Sequence, residues 1–393
     1  MAEPLKNLYG QEIPHRIADM ISNASPIFDR QRFLDYVLPE YDGLELMPRG
    51  WHMADGLKHA LPEDYETAID ILLASLPPAR PPVAETSATA DREGNTLAPF
   101  IFMPHTFFVA RYGLNHFDAS MRAQYELTQR FTAEFSIRPF LQQFPERTLK
   151  VLRGWTEDSS EHVRRLVSEG TRPRLPWASR LPAFQKNPEP VLSVLELLKD
   201  DPSLYVRRSV ANNLNDIGKD NPDHLFETAE RWLKNASPDR EWIISHALRV
   251  AIKNGEPRAL RLIGFGSKPQ VSLSDINITP DVVTEGDSLA FSVTINSKVP
   301  ASQSLLIDFV VHYLKANGSS RGKVFKLTRM ELDGKQSVTV GKRISLKPMT
   351  TRKHYAGEHR LELLINGTAY PLGSFSLVTV DKPLVQAILP EAK

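Results

Sequence analysis

Residues 158–169, DSSEHVRRLVSE, and residues 201–214, DPSLYVRRSVANNL, are two copies of one pattern. Their Val-Arg-Arg triplets, which begin at Val163 and Val206, lie 43 residues apart, and a third copy begins at Ser237, 36 residues after Asp201. A period of about 40 residues is typical of HEAT-like repeats, in which each helix pair buries one face against its neighbours. The middle of the chain is therefore predicted to be a curved helical stack with a concave face.

Composition predicts a boundary on either side of these repeats. From Leu76 to Pro99 proline and small polar residues replace any apolar period, which indicates a loop or a flexible crossover. Near Gly264–Gln270 the helical period stops and strand-like alternation begins. The predicted domains are an N-terminal helical cap (1–112, with the Pro-rich loop 76–99), a repeat domain (113–266), a strand domain (267–382) and a tail (383–393).

The strand domain shows the alternation of half-buried strands. Leu289, Phe291, Val293 and Ile295 alternate with polar or small residues. Similar runs lie at 307–313, 324–327, 337–340 and 359–365, and turn signals lie at 316–318, 333–334 and 366–367. About six or seven short strands predict an immunoglobulin-like sandwich, here without a disulfide. The expected fold is multidomain: an all-α HEAT-like repeat solenoid followed by an all-β immunoglobulin-like sandwich.

The nearly neutral total charge hides a segregation along the chain. There are 48 basic and 47 acidic side chains in all, but residues 1–112 carry 9 basic and 16 acidic ones. Residues 113–266 carry 23 and 20, and residues 267–393 carry 16 and 11. An acidic head on a body of net charge +8 keeps a polyanionic partner possible.

Several classes of chemistry are excluded. The chain has no cysteine, so it holds no disulfide scaffold, cysteine-ligated metal or thiol nucleophile. It has no phosphate-binding, dinucleotide, zinc-protease or serine-hydrolase motif, and its histidines lack metal-ligand spacing, so we expect no metal and no other cofactor. The N-terminal MAEPLKNLYGQEIPH does not resemble a signal peptide and no apolar run could cross a bilayer, so a cytoplasmic protein without a membrane partner is expected.

Charged residues of the repeats fall on a face that differs from the core. In the helix that includes Val206, the predicted core stripe is Val206, Val210, Leu214 and Ile217, whereas Arg208, Asn212 and Asp216 lie on another face. The equivalent positions in the earlier copies are Arg165 with Glu169, and Arg130 with Glu134 and then Arg138. Stacked repeats would align the arginines in one row, which suits a phosphate backbone, and the carboxylates in the next.

Two interpretations of these rows remain open. Arg130 with Glu134, and Arg165 with Glu169, fit ordinary surface ion pairs of i,i+4 spacing, each worth a few tenths of a kcal/mol. Alternatively, carboxylates set in a basic groove serve a positively charged target, because they would repel a phosphate. A similar choice concerns Trp177, in the proline-interrupted segment 172–180: it is either core or a stacking surface. The tryptophans Trp155, Trp232 and Trp242 are predicted to fill the core.

Three strings carry a family resemblance: RFTAEFSIRPF at 130–140, SEGTRPRLPW at 168–177 and DPSLYVRRSVANNLND at 201–216. They resemble the AlkC branch of the HEAT-like DNA-alkylation-repair glycosylases, across about residues 5–265. The resemblance implies a monofunctional DNA glycosylase that removes cationic bases such as 3-methyladenine and 3-methylcytosine from duplex DNA, without flipping them into a deep pocket. Its partner would be double-stranded DNA containing alkylated bases, and the protein would act as a monomer at the bacterial nucleoid.

The resemblance also implies roles for individual residues. Glu134 and Glu169 would be the catalytic carboxylates, and Trp177 and Asp216 would lie beside the lesion. The expected DNA-binding residues of the repeats are Arg130, Arg165, Arg172, Arg208, Asn212, His246 and Arg249. Lys323 and Lys326 are also expected to bind DNA; they belong to basic clusters of the strand domain, which are either a solvated positive face or a clamp on the duplex opposite the solenoid. The alternative from another class is a HEAT-repeat scaffold that binds protein or DNA without catalysis.

Overall fold

Helices precede strands throughout the structure, a computed structural model that describes residues 5–83, 98–349 and 353–379. The α-helices in these ranges are α1 (Glu12–Ala24), α2 (Arg30–Tyr41), α3 (Leu46–Ala60), α4 (Tyr65–Ala74), α5 (Met103–Tyr112), α6 (Phe117–Thr128), α7 (Ile137–Gln143), α8 (Pro145–Trp155), α9 (Glu161–Gly170), α10 (Pro182–Lys186), α11 (Glu189–Leu198), α12 (Leu204–Ile217), α13 (Pro222–Leu233), α14 (Pro238–Ala247), α15 (Arg249–Lys253) and α16 (Pro257–Leu262). None of the helices described is long and apolar enough to span a membrane.

The chain divides into two compact units between Arg249 and Val250. The first contains α1 to α14, and the second contains α16 and every described strand, with most of α15. Residues 84–97 of the predicted Pro-rich loop, the last residues of the predicted strand domain (380–382) and the predicted tail 383–393 lie outside the described residues. The domain limits drawn from composition stay a prediction.

The repeats place α9, α12 and α14 side by side, with α12 packed against both of the others. Each of these helices also packs against the helix before it, which is α8, α11 or α13. The predicted stripe of α12 is confirmed, because Val206, Val210, Leu214 and Ile217 are all exposed by 1% or less. Truncating Leu214 to alanine there would open a cavity at a cost of about 2–5 kcal/mol.

The copy before α9 departs from the predicted helical pattern. Helix α6 ends at Thr128 and α7 begins at Ile137, so Arg130 and Glu134 lie in a non-helical connection. Only Arg138 of this predicted row lies on a helix. The prediction that the three residues share one helix face is therefore wrong.

Side-chain hydrogen bonds and packing hold the connection between α6 and α7. The buried Ser136 hydroxyl donates to the Ala133 carbonyl at 3.1 Å and lies 3.2 Å from Gln124 Oε1. Serine that bonds nearby backbone groups competes with helical hydrogen bonding. Phe131 and Ala133 are buried in this connection, so packing also holds it in place.

The second unit is a two-sheet sandwich. Its strands are β1 (Val271–Thr279), β2 (Val282–Thr284), β3 (Ser288–Ser297), β4 (Gln303–Leu314), β5 (Ser320–Leu332), β6 (Ser337–Ser345), β7 (Gly357–Ile365) and β8 (Thr368–Val378). The sheets have the orders β1-β3-β6 and β2-β8-β7-β4-β5, and their apolar faces form one core. The immunoglobulin-like fold is confirmed, and the described residues contain eight strands. The alternating runs located β3 to β7, but they did not locate the irregular β1, the three-residue β2 or β8.

Turn chemistry and close packing complete this unit. The predicted turn at Asn366–Gly367 is confirmed, and both residues have the positive φ (47° and 76°) that a tight hairpin requires. A Cβ atom on Gly367 would lie 3.1 Å from Gly255 Cα, so the segment between α15 and α16 packs directly on this turn. Asn366 Nδ2 donates to the Ser267 carbonyl at 3.1 Å, which ties the connection before β1 to the same point.

Candidate active site

Side chains of alternating charge form a continuous series in the helical unit: Glu134, Arg165, Glu169, Arg172 and Asp216. Arg165 Nη1 donates to Glu134 Oε2 at 2.6 Å, and Arg165 Nη2 lies 3.5 Å from Glu169 Oε1. Arg172 then donates to Glu169 Oε1 at 2.7 Å and to Asp216 Oδ2 at 2.8 Å. The fold therefore brings together the predicted carboxylates from the α6–α7 connection, α9 and α12.

Glu169 is a buried carboxylate that stays ionised. It is 6% exposed, and its second oxygen, Oε2, accepts a 2.6 Å hydrogen bond from the Ser209 hydroxyl. Burial raises the pKa of Glu169, but Arg165, Arg172 and the Ser209 hydroxyl outweigh it and hold that pKa below the ordinary value. At neutral pH Glu169 carries a negative charge whose two oxygens are both occupied by donors.

Asp216 is the most deeply buried carboxylate of the series, at 1% exposed. It lies in the last turn of α12, where the helix dipole disfavours a negative charge. Two cations compensate: Arg172 donates to Oδ2, and Lys219 Nζ donates to Oδ1 at 2.7 Å.

Glu134 is the most accessible of the three carboxylates. Its side chain is 12% exposed, against 7% for Glu169 and 1% for Asp216. Glu134 Oε2 accepts from Arg165 and from the Thr132 hydroxyl at 2.8 Å. Within the described residues, no hydrogen bond reaches its other oxygen, Oε1. Glu134 can therefore bind a further donor, such as a water molecule, without losing a protein contact.

A buried polar contact between α9 and α12 supports Glu169. The Ser168 hydroxyl donates to Ser209 Oγ at 2.6 Å, and Asn213 Nδ2 donates to the Ser168 carbonyl at 2.7 Å and to Thr171 Oγ1 at 3.0 Å. Sequence reasoning missed these residues. The available signal was Ser209 and Asn213, small polar residues at i,i+4 spacing on a buried face of α12.

Trp177 projects from the loop between α9 and α10. Its side chain is 65% exposed, so the core interpretation is wrong for this residue. Its φ of 63° places a bulky residue in the left-handed region, which costs of order 1–3 kcal/mol and persists only where the surroundings impose it. Such a strained, exposed aromatic residue suits a binding role.

The three tryptophans predicted to fill the core have different environments. Trp232 is 1% exposed, which confirms the prediction that it fills the core. Trp155 is half-buried and packs on Tyr125 with ring centroids 5.8 Å apart. Trp242 is 37% exposed and stacks on His246 at 5.0 Å, so the prediction that Trp242 is a core residue is wrong.

Predicted DNA-binding residues of α12 and α14 form a second cluster. Asn212 Oδ1 accepts from Arg249 Nη2 at 2.9 Å and lies 3.3 Å from His246 Nε2. Burial, with the positive charges of Arg249 and Arg208, lowers the pKa of His246 to about 4, so this histidine is neutral at pH 7. Arg208 is half-exposed, and among the residues described no hydrogen bond or ion pair engages its guanidinium.

Arg130 contacts other residues than its predicted partner, Glu134. It pairs with Glu126, and its Nε donates to the Pro77 carbonyl at 2.9 Å, so the interpretation as an Arg130–Glu134 ion pair is wrong. The neighbouring Arg80 also contacts this connection, through a 2.7 Å hydrogen bond to the Phe131 carbonyl. By contrast the Arg165–Glu169 pair is present, but buried rather than on the surface.

Lys323 and Lys326 lie on opposite faces of β5, which is an edge strand. Lys323 shares the face of Phe325 and lies 5.3 Å from that ring centroid. Lys326 pairs in register with Asp308 and directly follows Phe325, so strand alternation places it on the other face; the irregularity of β5 lies beyond it, between Lys326 and Thr328. Both ammonium groups are on exposed residues, as are the other basic residues of this strand.

Comparisons with known proteins agree with this architecture. Residues 272–379 match the family described as the C-terminal Ig-like domain of the uncharacterised protein YhaZ. YhaZ of Bacillus subtilis (strain 168) is 37% identical over 364 residues, which cover 92% of this chain and 96% of YhaZ. The solved structure of the Pseudomonas fluorescens alkylpurine DNA glycosylase AlkC, bound to DNA containing an abasic site analog, matches with a TM-score of 0.86 and 38% identity, over 96% of this chain and 100% of that one. The chain therefore belongs to the AlkC family of DNA alkylation repair glycosylases.

Proposed function

We propose that this protein hydrolyses the N-glycosidic bond of cationic N3-methylated bases, 3-methyladenine and 3-methylcytosine, in duplex DNA. The observation that carries the proposal is the group of three carboxylates, held by arginines in the unit that carries the exposed Trp177. The solved relative AlkC, an alkylpurine DNA glycosylase bound to abasic-site DNA, supports it. The enzyme would act as a monomer and without a metal or other cofactor.

The chemistry suits carboxylates because an N3-methylated base is already positively charged. Such a base leaves without a general acid, and positive charge then develops on the sugar as the bond breaks. Preorganised negative groups stabilise that charge, and one such group is typically worth on the order of 10² to 10³ in rate. Hydrolysis of this kind needs no lysine nucleophile, so the proposal includes no coupled strand cleavage.

Accessibility suggests how the two glutamates divide the work. Glu134 retains an oxygen, Oε1, without a hydrogen bond in the described residues, so it would orient the attacking water. Glu169 has both oxygens occupied and a lowered pKa, so it would act through its fixed negative charge. Asp216 would reinforce this negative potential beside the lesion, and Trp177 would contact the lesion in the groove without a deep pocket.

The arginines would also divide into two groups. The guanidinium groups of Arg165 and Arg172 donate to Glu134, Glu169 and Asp216. We therefore propose that these arginines orient the carboxylates rather than bind phosphate. Arg208 has donors available, which makes it the best supported phosphate contact in this unit.

Next to Arg208 lie the hydrogen-bonded side chains of Asn212, His246 and Arg249. These side chains would contact the same DNA strand as Arg208. Arg130 holds the segment near Pro77, so any contact that it makes to DNA would be secondary to that role.

The proposal is tested by incubating the protein with methylated duplex DNA and measuring free 3-methyladenine and 3-methylcytosine. We expect release by the wild type, and a fall of roughly 100-fold or more for Glu134→Gln and for Glu169→Gln. Glu126→Gln is the matched control, because Glu126 belongs to the same region but pairs with Arg130. Release that survives both glutamine substitutions would contradict the assigned roles, and no release by the wild type would favour a non-catalytic scaffold.

Selectivity provides a separate test of the electrostatic argument. A neutral modified base leaves poorly and is not attracted by carboxylates, so it should be excised far more slowly than 3-methyladenine from matched duplexes. Equal rates for neutral and cationic lesions would mean that the carboxylates do not select by charge.

A further inference from the structure

Arg138 is a buried arginine whose donors converge on the loop that carries Trp177. It is 1% exposed and lies in the first turn of α7. Its Nη1 donates to the carbonyls of Gly170 at 3.0 Å and Arg172 at 2.9 Å, and its Nε donates to the Ser179 carbonyl at 3.0 Å. A single guanidinium therefore joins the two ends of the segment from Gly170 to Ser179.

This arrangement is energetically demanding and geometrically specific. Among the described residues Arg138 has no carboxylate within ion-pair distance, although burying a charge without a partner is costly. Only the planar five-donor fork of arginine reaches several carbonyls in different directions at once, which the ammonium group of a lysine does not reproduce.

The loop needs such an anchor because the Trp177 side chain packs too little to fix the conformation of the loop. Its side chain is mostly exposed, and its backbone lies in a region that disfavours bulky residues. The loop's own backbone bonds are few and long: Leu181 N donates to the Pro173 carbonyl at 3.2 Å and Ala178 N to the Leu175 carbonyl at 3.4 Å.

The same clamp reaches the carboxylate series. Gly170 directly follows Glu169, and the Arg172 carbonyl that Arg138 holds belongs to the residue that bridges Glu169 and Asp216. A shift of this loop would therefore move Trp177 and the Arg172 guanidinium together.

We propose that Arg138 is a positioning residue, which clamps residues 170–179 so that Trp177 projects beside the carboxylates in one orientation. Arg138 acts through the loop and does not touch DNA. The catalytic consequence rests on the proposed function, whereas the ordering of the loop does not.

A double-mutant cycle tests the catalytic consequence, with Arg138→Lys and Trp177→Ala measured singly and together as kcat and KM for 3-methyladenine release. In the wild type the loss of a stacking residue is expected to cost roughly 5- to 150-fold. In the Arg138→Lys background we expect Trp177→Ala to cost less than about a third of that factor, because the indole is already misplaced, and we expect the Arg138→Lys loss to fall on kcat more than on KM. Effects of the two changes that multiply independently would overturn the proposal.

Arg49→Lys is the matched control for folding. Arg49 is also buried, and it holds a distant loop through the carbonyls of Leu44, Lys6, Tyr9 and Asp42 at 2.6–3.1 Å. Arg49→Lys should lower the melting temperature to a similar degree, yet it should leave the cost of Trp177→Ala unchanged.

A measurement that does not depend on enzyme activity separates failure of this inference from failure of the proposed function. The fluorescence anisotropy of Trp177 is obtained as the difference between each protein and its Trp177→Phe partner. We expect the Trp177 contribution to be less anisotropic in Arg138→Lys than in the wild type or Arg49→Lys. Unchanged anisotropy would overturn the clamp even if the wild type releases bases, and reduced anisotropy would support it even if none is released.

Discussion

Glu169 shows how a carboxylate can be buried and remain charged. Three donors, from Arg165, Arg172 and Ser209, reach its two oxygens, and together they outweigh the effect of burial on its pKa. Of these donors only the Ser209 hydroxyl is neutral, so its removal changes the hydrogen bonding of Glu169 without changing the charge of its surroundings.

Ser209→Ala is therefore expected to raise the pKa of Glu169 and to destabilise the protein at pH 7 by about 1.5–3 kcal/mol, the value of a hydrogen bond to a charged group. A carboxylate whose folded pKa is lowered stabilises the fold above its unfolded pKa, and that contribution is lost as the pH falls through the folded pKa. The variant and the wild type should thus converge in free energy of unfolding on acidification, while the acid limb of the variant's activity moves to higher pH.

Denaturant unfolding as a function of pH checks this prediction. Ser193→Ala is the control, because Ser193 is exposed and its hydroxyl contacts Arg153 and the Pro190 carbonyl, away from any carboxylate. A stability loss in Ser209→Ala that stays constant from neutral to acidic pH would show that the hydroxyl does not act through the charge of Glu169.

A second prediction at the scale of a single residue concerns the backbone conformation of Trp177. Asparagine tolerates the left-handed region much better than tryptophan, and Asn235 of this chain adopts a similar φ of 55°. Since the indole is mostly exposed, Trp177→Asn should leave the free energy of unfolding unchanged or raise it by about 1 kcal/mol. The same change should lower base release roughly 5- to 150-fold through loss of stacking. A variant that is both less stable and fully active would contradict both expectations.

Helix α9 carries adjacent arginines that serve different purposes. Arg164 pairs with the buried Asp201 at 2.7 Å, whereas Arg165 lies between Glu134 and Glu169. Because consecutive residues of a helix point about 100° apart, Arg164 joins α9 to the segment before α12, whereas Arg165 completes the carboxylate series.

We predict that Arg164→Gln costs about 3–5 kcal/mol in free energy of unfolding, because it leaves the buried Asp201 without its arginine. Arg165→Gln should cost less, because Glu169 keeps Arg172 and Ser209 and because Glu134 is more accessible. Only Arg165→Gln removes a charge that lowers the pKa of Glu169. The acid limb of the pH–rate profile should therefore move to higher pH in Arg165→Gln and stay in place in Arg164→Gln. Equal shifts in the two variants would mean that stability, and not the local charge, sets the limb.

Periodicity predicted the elements whose own side chains decide their structure. The stripe from Val206 to Ile217 fixes which face of α12 is buried, and with it the side on which Asp216 lies. The Asn366–Gly367 turn is equally local, since only its backbone conformation is required. These features depend on neighbours in sequence, which a single chain displays.

Features that depend on neighbours in space were not predictable. Glu134 matches a helical position by spacing, but α6 ends at Thr128, and Glu134 lies in a connection held by the buried Phe131 and Ala133. In α14 the buried residues are Ile243, Ile244 and Ala247, and Trp242 turns outward, although its apolarity alone favoured the core. The pairing of Arg165 and Arg172 with carboxylates required three segments to meet, so their spacing suggested a phosphate row instead.

At the scale of the whole molecule, charge is separated between an acidic N-terminal region and a basic remainder. Much of the basic charge of the helical unit is neutralised by internal pairs such as Arg164–Asp201 and Arg174–Asp220. The sandwich keeps exposed basic residues on its edge strands β5 and β6, and charged edges also protect a sheet from pairing with another chain. Contact with DNA and protection of the edge are therefore competing explanations of the same lysines.

The opposite orientations of Lys323 and Lys326 distinguish these explanations in the full-length protein. Log affinity falls linearly with log salt concentration, and each phosphate contact that is lost reduces the magnitude of this negative slope by about 0.9. If duplex DNA lies along one face of the sandwich, only one of Lys323→Gln and Lys326→Gln should reduce the magnitude by that amount, and the exposed Lys298→Gln should not. A fall in both variants would indicate that the duplex follows the edge of β5 itself. Slopes that stay at the wild-type value in both would contradict a DNA contact by these lysines and leave protection of the edge as their role.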